Sequence, residues 1–166
     1  MEPRLVNVTV YSLAWAPMLN GFLLFGGWGV TSNTTLGSLY TYSTHRGWAA
    51  FDATGDLPSA RSESCLVPAY SGSKMVLFGG RGSWDETMPT GRALSDIYIL
   101  DVATRIWTRG PNVGTGGARI GHVCAVSGDY FISWGGMVDT NSPISDTVVY
   151  NLKTSTWTSR YEYPPS

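Results

Sequence analysis

The sequence predicts an all-β protein built from three copies of one four-stranded antiparallel unit. Three observations carry that prediction. A diglycine closes an apolar run three times, at Gly26-Gly27, Gly79-Gly80 and Gly135-Gly136. A tryptophan follows each pair: Trp48, Trp107 and Trp157. The 13 residues from Ser95 to Trp107 align with those from Ser145 to Trp157 without a gap, sharing Ser-Asp at the start, Asp or Asn at the seventh position and Thr at the tenth. Across the chain, no 12-residue window carries an apolar stripe at helical spacing that is free of Gly and Pro.

Each unit opens on an arginine: Arg4, Arg61 or Arg119. In the second and third units the short apolar segments 64–69 and 122–126 follow and supply the first strand. The second strand is the run before each diglycine, such as Met75-Val76-Leu77-Phe78. It lacks clean alternation, which suits a strand covered on both faces. Glycine after it permits a positive φ, or a backbone approach that a Cβ would block. The third strand is Tyr98-Ile99-Leu100 or Val148-Val149-Tyr150, with a looser first copy at Leu39-Tyr40-Thr41-Tyr42. Asp101 with Thr104, and Asn151 with Thr154, mark a tight turn into the tryptophan strand. The second glycines are 53 and 56 residues apart and the tryptophans 59 and 50, a mean period near 54. From diglycine to tryptophan the count is 21, 27 and 21, so six extra residues sit at one place in the middle unit. An insertion confined to one spot in a constant frame is a loop on a repeated scaffold.

Diglycine, then Tyr with Asp or Asn, then Trp, at a period near 50, resembles the kelch repeat. The resemblance covers nearly the whole chain. A WD-type repeat does not fit, because no Gly-His…Trp-Asp signature recurs and its period is nearer 40–45. Kelch repeats are blades of a β-propeller, and the resemblance draws them at 3–52, 58–112 and 116–163 within a partial propeller spanning 1–166. It extends to the galactose-oxidase type of central domain. Propellers have four to eight blades. Three blades form an incomplete ring, to be closed by further blades of a parent chain or by a second copy. The end blades are expected to expose apolar faces.

Composition narrows the function. Charged residues are 14% of the chain and the net charge is −1, with no basic stripe for a phosphate backbone. Nucleic-acid binding is therefore not expected. No apolar run reaches the ~18 residues of a membrane-spanning helix. Ala14-Trp15-Ala16 has the form of a leader-cleavage site, but Glu2, Asn7, Thr9 and Ser12 interrupt the required pattern. The segment reads as structure. Cys65 and Cys124 lie in apolar stretches and read as two small buried thiols. Asn7-Val8-Thr9 and Asn33-Thr34-Thr35 are N-glycosylation sequons, available if the chain is secreted.

Few groups suit catalysis. His45 and His122 are the two histidines; His45 replaces a turn residue, and His122 reads as a structural residue near the channel. No nucleophile triad, H-E-x-x-H or phosphate loop is present. The copper site of the galactose-oxidase type has no Tyr, Cys or His arrangement to which it can be carried. No cofactor or metal is expected, and the alternative is a fragment of a propeller oxidase or other carbohydrate-active enzyme whose catalytic residues lie elsewhere.

The leading expectation is a protein-binding module. In kelch-like propellers the loops between the second and third strands build recognition surfaces, here 28–38, 81–93 and 137–145. The candidate partner-binding residues are Trp28, Arg81, Trp84, Asp85, Glu86, Arg92 and Asp139. Arg and Trp are favoured interface anchors. By contrast, the recurrence of Arg61, Arg119, Trp48, Trp107, Trp157 and the six glycines assigns them to the scaffold.

Overall fold

The computed structural model describes residues 8–83, 91–114, 116–138 and 142–158. Three sheets hold twelve main strands. The first contains β1 (Ser12–Ala16), β2 (Gly21–Phe25), β3 (Leu39–Ser43) and β4 (Gly47–Ala50). The second contains β5 (Cys65–Ala69), β6 (Lys74–Phe78), β7 (Ile97–Asp101) and β8 (Ile106–Arg109). The third contains β9 (Val123–Ser127), β10 (Tyr130–Trp134), β11 (Thr147–Asn151) and β12 (Thr156–Thr158). Each is an antiparallel meander in chain order. The first strands are the inner ones, with β5 packed between β1 and β9. The expected four-stranded blades are therefore present, side by side in an open arc. Among the described residues no helix is long and apolar enough to cross a membrane.

Register shows how closely the copies agree. The residue before each diglycine, Phe25, Phe78 or Trp134, pairs with the first residue of the next strand: Leu39, Ile97 or Thr147. Trp48, Trp107 and Trp157 lie opposite Tyr42, Leu100 and Tyr150, which are equivalent positions. The turn before each tryptophan is also shared. Thr104 N–H donates to Asp101 Oδ1 at 2.8 Å, and Thr154 N–H donates to Asn151 Oδ1 at 3.0 Å. Arg105 and Ser155, four residues after the capping side chain, are left-handed; in the first blade Ser43 Oγ accepts from Arg46 N–H at 3.2 Å and Gly47 is left-handed at φ 66°.

Blades pack face to face. Trp107 of the second blade meets Phe25 of the first edge to face, in a core with Leu23, Met75, Leu77 and Leu100. Trp157 of the third blade meets Phe78 of the second, in a core with Val76, Ile97, Phe131 and Tyr150. Among the described residues the ends of the array have no such partners. Leu13, Trp15 and Phe22 are exposed on the first blade. Trp134, at the position where Phe25 and Phe78 are buried, is 56% exposed on the third.

The diglycines stitch the seams through backbone alone. Gly27 N–H donates to the Arg61 carbonyl and Gly80 N–H to the Arg119 carbonyl, both at 2.9 Å. Each bond therefore joins one blade to the opening segment of the next. A Cβ on Gly80 would sit 2.6 Å from the Ser62 oxygen, a distance that backbone cannot yield cheaply.

Three details depart from the sequence reading. Cys65 and Cys124 are not free thiols: they form a disulfide across the seam between the second and third blades, with Cα atoms 6.2 Å apart. Cys65 faces the third blade from β5, Cys124 faces back from β9, and both are half-buried. Arg4 lies outside the described residues, and register places Val8 at the position of Arg61 and Arg119 in the first blade. Finally, the second sheet gains a fifth strand, because Thr54–Gly55 of the connector from the first blade runs parallel to β8.

Candidate interaction face

The arginines that open the second and third units are scaffold groups. Arg61 is fully buried and uses all five of its N–H donors. Nε donates to the Ser59 carbonyl, and Nη2 to Ser59 Oγ and Asp96 Oδ2. Nη1 donates to Asp96 Oδ1 at 2.6 Å and to the Gly79 carbonyl. Arg119 meets Asp146 differently: Nη2 alone donates to both carboxylate oxygens, at 3.2 and 3.3 Å, while Nη1 turns to the Gly135 and Asp146 carbonyls, and the carboxylate is more exposed. In the first blade the matching positions are Val8 and Ser38, so the arginine and its aspartate are absent together. The aspartates stand in the repeated Ser-Asp that opens the 13-residue phrase. Their joint recurrence with the arginines was the available signal for the pairing.

His122 follows Arg119 by three residues, where the second blade has Ser64. It is buried edge-on against Phe78, and neither ring nitrogen has a partner among the described residues. Burial, reinforced by the Arg119 charge, pushes its pKa down from the ordinary 6.5 to about 4. The folded chain thus holds the imidazole neutral while the unfolded chain protonates it near 6.5. Stability from this group is complete above that pH, falls as pH drops from about 6.5 to about 4, by up to about 3 kcal/mol, and levels off below. Acid titration of the unfolding midpoint is expected to show that loss. His122→Ser, which copies the second blade, should remove it; an unchanged acid slope would assign the loss to other groups.

Above the diglycines, each blade carries a small ladder. Val8–Thr9 pairs with Trp28–Gly29, Arg61–Ser62 with Arg81–Gly82, and Ile120 bridges to Met137. Each ladder ties the opening segment of a blade to the start of its own loop. Loops 28–38, 81–93 and 137–145 consequently depart from equivalent points at one end of the array. Neighbouring loops also touch. Thr35 Oγ1 and Ser83 Oγ are 2.8 Å apart across the first seam. The scaffold beside them is joined as well, since Ser12 Oγ of β1 donates to the Ser64 carbonyl in the opening segment of the second blade at 2.6 Å.

The sequence-predicted loop residues divide accordingly. Trp28 is half-buried within its ladder. Arg81 Nε donates to Glu63 Oε1 at 3.0 Å, so its charge is engaged by the scaffold. Arg92 is exposed, and its carbonyl accepts from Gly82 N–H. Trp84, Asp85, Glu86 and Asp139 lie outside the described residues, as does Asn7. Asn33 is exposed in a left-handed turn with φ 51°. Sequence reasoning missed Glu63, also left-handed at φ 54°, which joins the first and second blades through Val10 and the third through Gly121.

A cleft of about 330 Å³ opens between the first two blades, lined by Phe25, Tyr40, Phe51, Leu57 and Trp107. Its lining brings no convergent titratable groups together. Among the described residues no group of three or more His, Cys, Asp or Glu is placed to hold a metal.

A family model described as the KLHDC2/KLHL20/DRC7 Kelch-repeats domain matches residues 13–164. Among curated proteins, the chain is similar to an Arabidopsis thaliana protein named acyl-CoA-binding domain-containing protein 4, with 32% identity over 112 residues. That match covers 66% of this chain and 15% of the relative, so the chain spans a small part of the curated protein it matches.

Proposed function

Because this chain belongs to the kelch-repeat proteins, we propose that it is a protein-interaction module that recognises its partner through the loops above the diglycines. The observation carrying this reading is their common origin. Three loops leave from equivalent points on one face, each pinned by its own ladder, and the first two are hydrogen-bonded to each other. A rigid scaffold presenting variable loops in fixed register is a binding device. On this reading the chain acts by binding rather than catalysis.

Arg81 is a poor choice for testing the face, because its loss would also release Glu63. The double variant Trp84→Ala with Arg92→Ala leaves that pair intact. Proteins retained by the immobilised wild-type chain are expected to include at least one that the double variant loses by tenfold or more. Its unfolding midpoint should match wild type, and Lys153→Ala should retain that protein. Identical retention by wild type and double variant would remove the loops from the binding surface.

A further inference from the structure

We propose that this chain matures in an oxidising, glycosylating compartment, where Asn33 receives an N-linked glycan and Cys65 and Cys124 are joined. Two independent features point there. The first is the disulfide. The chain has two cysteines and none is left free. They occupy non-equivalent positions, the first residue of β5 and the second of β9, so the repeat itself does not bring them together. They meet because facing sides of adjacent blades place their Cα atoms 6.2 Å apart, inside bridging range. A bond of this kind persists where the medium is oxidising.

The second feature is the loop 28–38. Asn33, in the sequon Asn33-Thr34-Thr35, is exposed at the tip of a left-handed turn, and Val30, Thr31, Ser32 and Thr34 around it are exposed as well. A glycan there projects into solvent without displacing a packed group. The sequon hydroxyl is different. Thr35 is buried, with Oγ1 2.8 Å from Ser83 Oγ. Transfer therefore takes place before the second blade seats on the first, while the hydroxyl is still available.

The chemistry uses two external reactants. Asn33 Nδ2 attacks C1 of a lipid-diphosphate-linked oligosaccharide. The new N–C1 bond replaces the C1–O bond, the amide loses one proton, and the lipid diphosphate leaves. The two thiols give two electrons and two protons to an oxidised dithiol carrier, whose disulfide becomes a dithiol as the Cys65–Cys124 bond forms.

The test is peptide mass spectrometry on the full chain recovered from its own cells, alkylated before lysis and never reduced. Expected are a cross-linked peptide pair holding Cys65 and Cys124, and an Asn33 peptide that appears only after N-glycosidase treatment, with Asn33 converted to aspartate. Asn33→Asp, which keeps a residue tolerant of the left-handed turn, should migrate faster than the untreated wild type, and with Asn7→Asp added it should match the deglycosylated chain. Thr35→Ser keeps the sequon and should remain shifted. Alkylated thiols at both cysteines, an unmodified Asn33 peptide, or a migration unaltered by Asn33→Asp would each overturn the proposal.

Discussion

Arg61→Ala is expected to destabilise the fold by about 3–5 kcal/mol, the range for removing one partner of a buried ion pair. The cause is what remains behind. Asp96, with a side chain 12% exposed, would keep a carboxylate whose two charged donors have gone. The Gly79 carbonyl and both Ser59 acceptors would lose their partners as well. Arg61→Lys should recover only part of the loss, since one ammonium cannot fork to two oxygens and also reach Ser59 and Gly79. Arg119→Ala should cost less, about 1–3 kcal/mol, because the Asp146 side chain is 56% exposed and water can take over its oxygens. Urea unfolding of the three variants checks the order. Equal losses at Arg61 and Arg119 would show that carboxylate burial does not set the cost. Arg61→Ala combined with Asp96→Ala should cost less than the sum of the two single changes.

Opening the Cys65–Cys124 bond should cost a similar amount. The bond closes a loop of sequence separation 59, for which chain-entropy reasoning gives about 4 kcal/mol. The effect should be local as well as global, because the bond joins the second and third blades beside the core of Phe78, Phe131 and Tyr150. Reduction, or Cys65→Ser with Cys124→Ser, is expected to raise amide exchange in β9–β12 more than in β1–β4. A midpoint unchanged by reductant would mean that the seam is held by its apolar contacts alone.

The parts of the fold legible in the sequence are those whose residues answer a local demand. Gly80 must be glycine because backbone crowds its Cα; Asp101 and Asn151 cap their own turns; each tryptophan pairs with a residue on the adjacent strand. Such signals repeat with the blade and survive in one sequence. Contacts that cross seams do not. Cys65 and Cys124 stand at different positions of the repeat, so superimposing the copies never pairs them. Within a blade, separation along the chain also hides partners: Asp96 is 35 residues from Arg61, and only the recurrence of the pair as Arg119 with Asp146, and its joint absence from the first blade, links them. Arg4 illustrates the opposite error. It has the right residue type near the right place, but strand register gives the position to Val8. The loops were recognisable as loops by their variable length, while the use of each side chain depended on neighbours: Arg81 was engaged by Glu63, and Arg92 was exposed.

The connector strand at Thr54–Gly55 has a consequence for how molecules meet. The outermost strand of a blade ends in a row of backbone donors and acceptors, a template on which another chain can add. On the second blade that row is already taken. Thr54 N–H donates to the Arg105 carbonyl and Asp56 N–H to the Trp107 carbonyl, while the Asp56 carboxylate accepts from Arg109 N–H. The segment that links two blades thus also serves as a stopper. It terminates the middle sheet from within the same polypeptide and denies that edge to strand-by-strand aggregation.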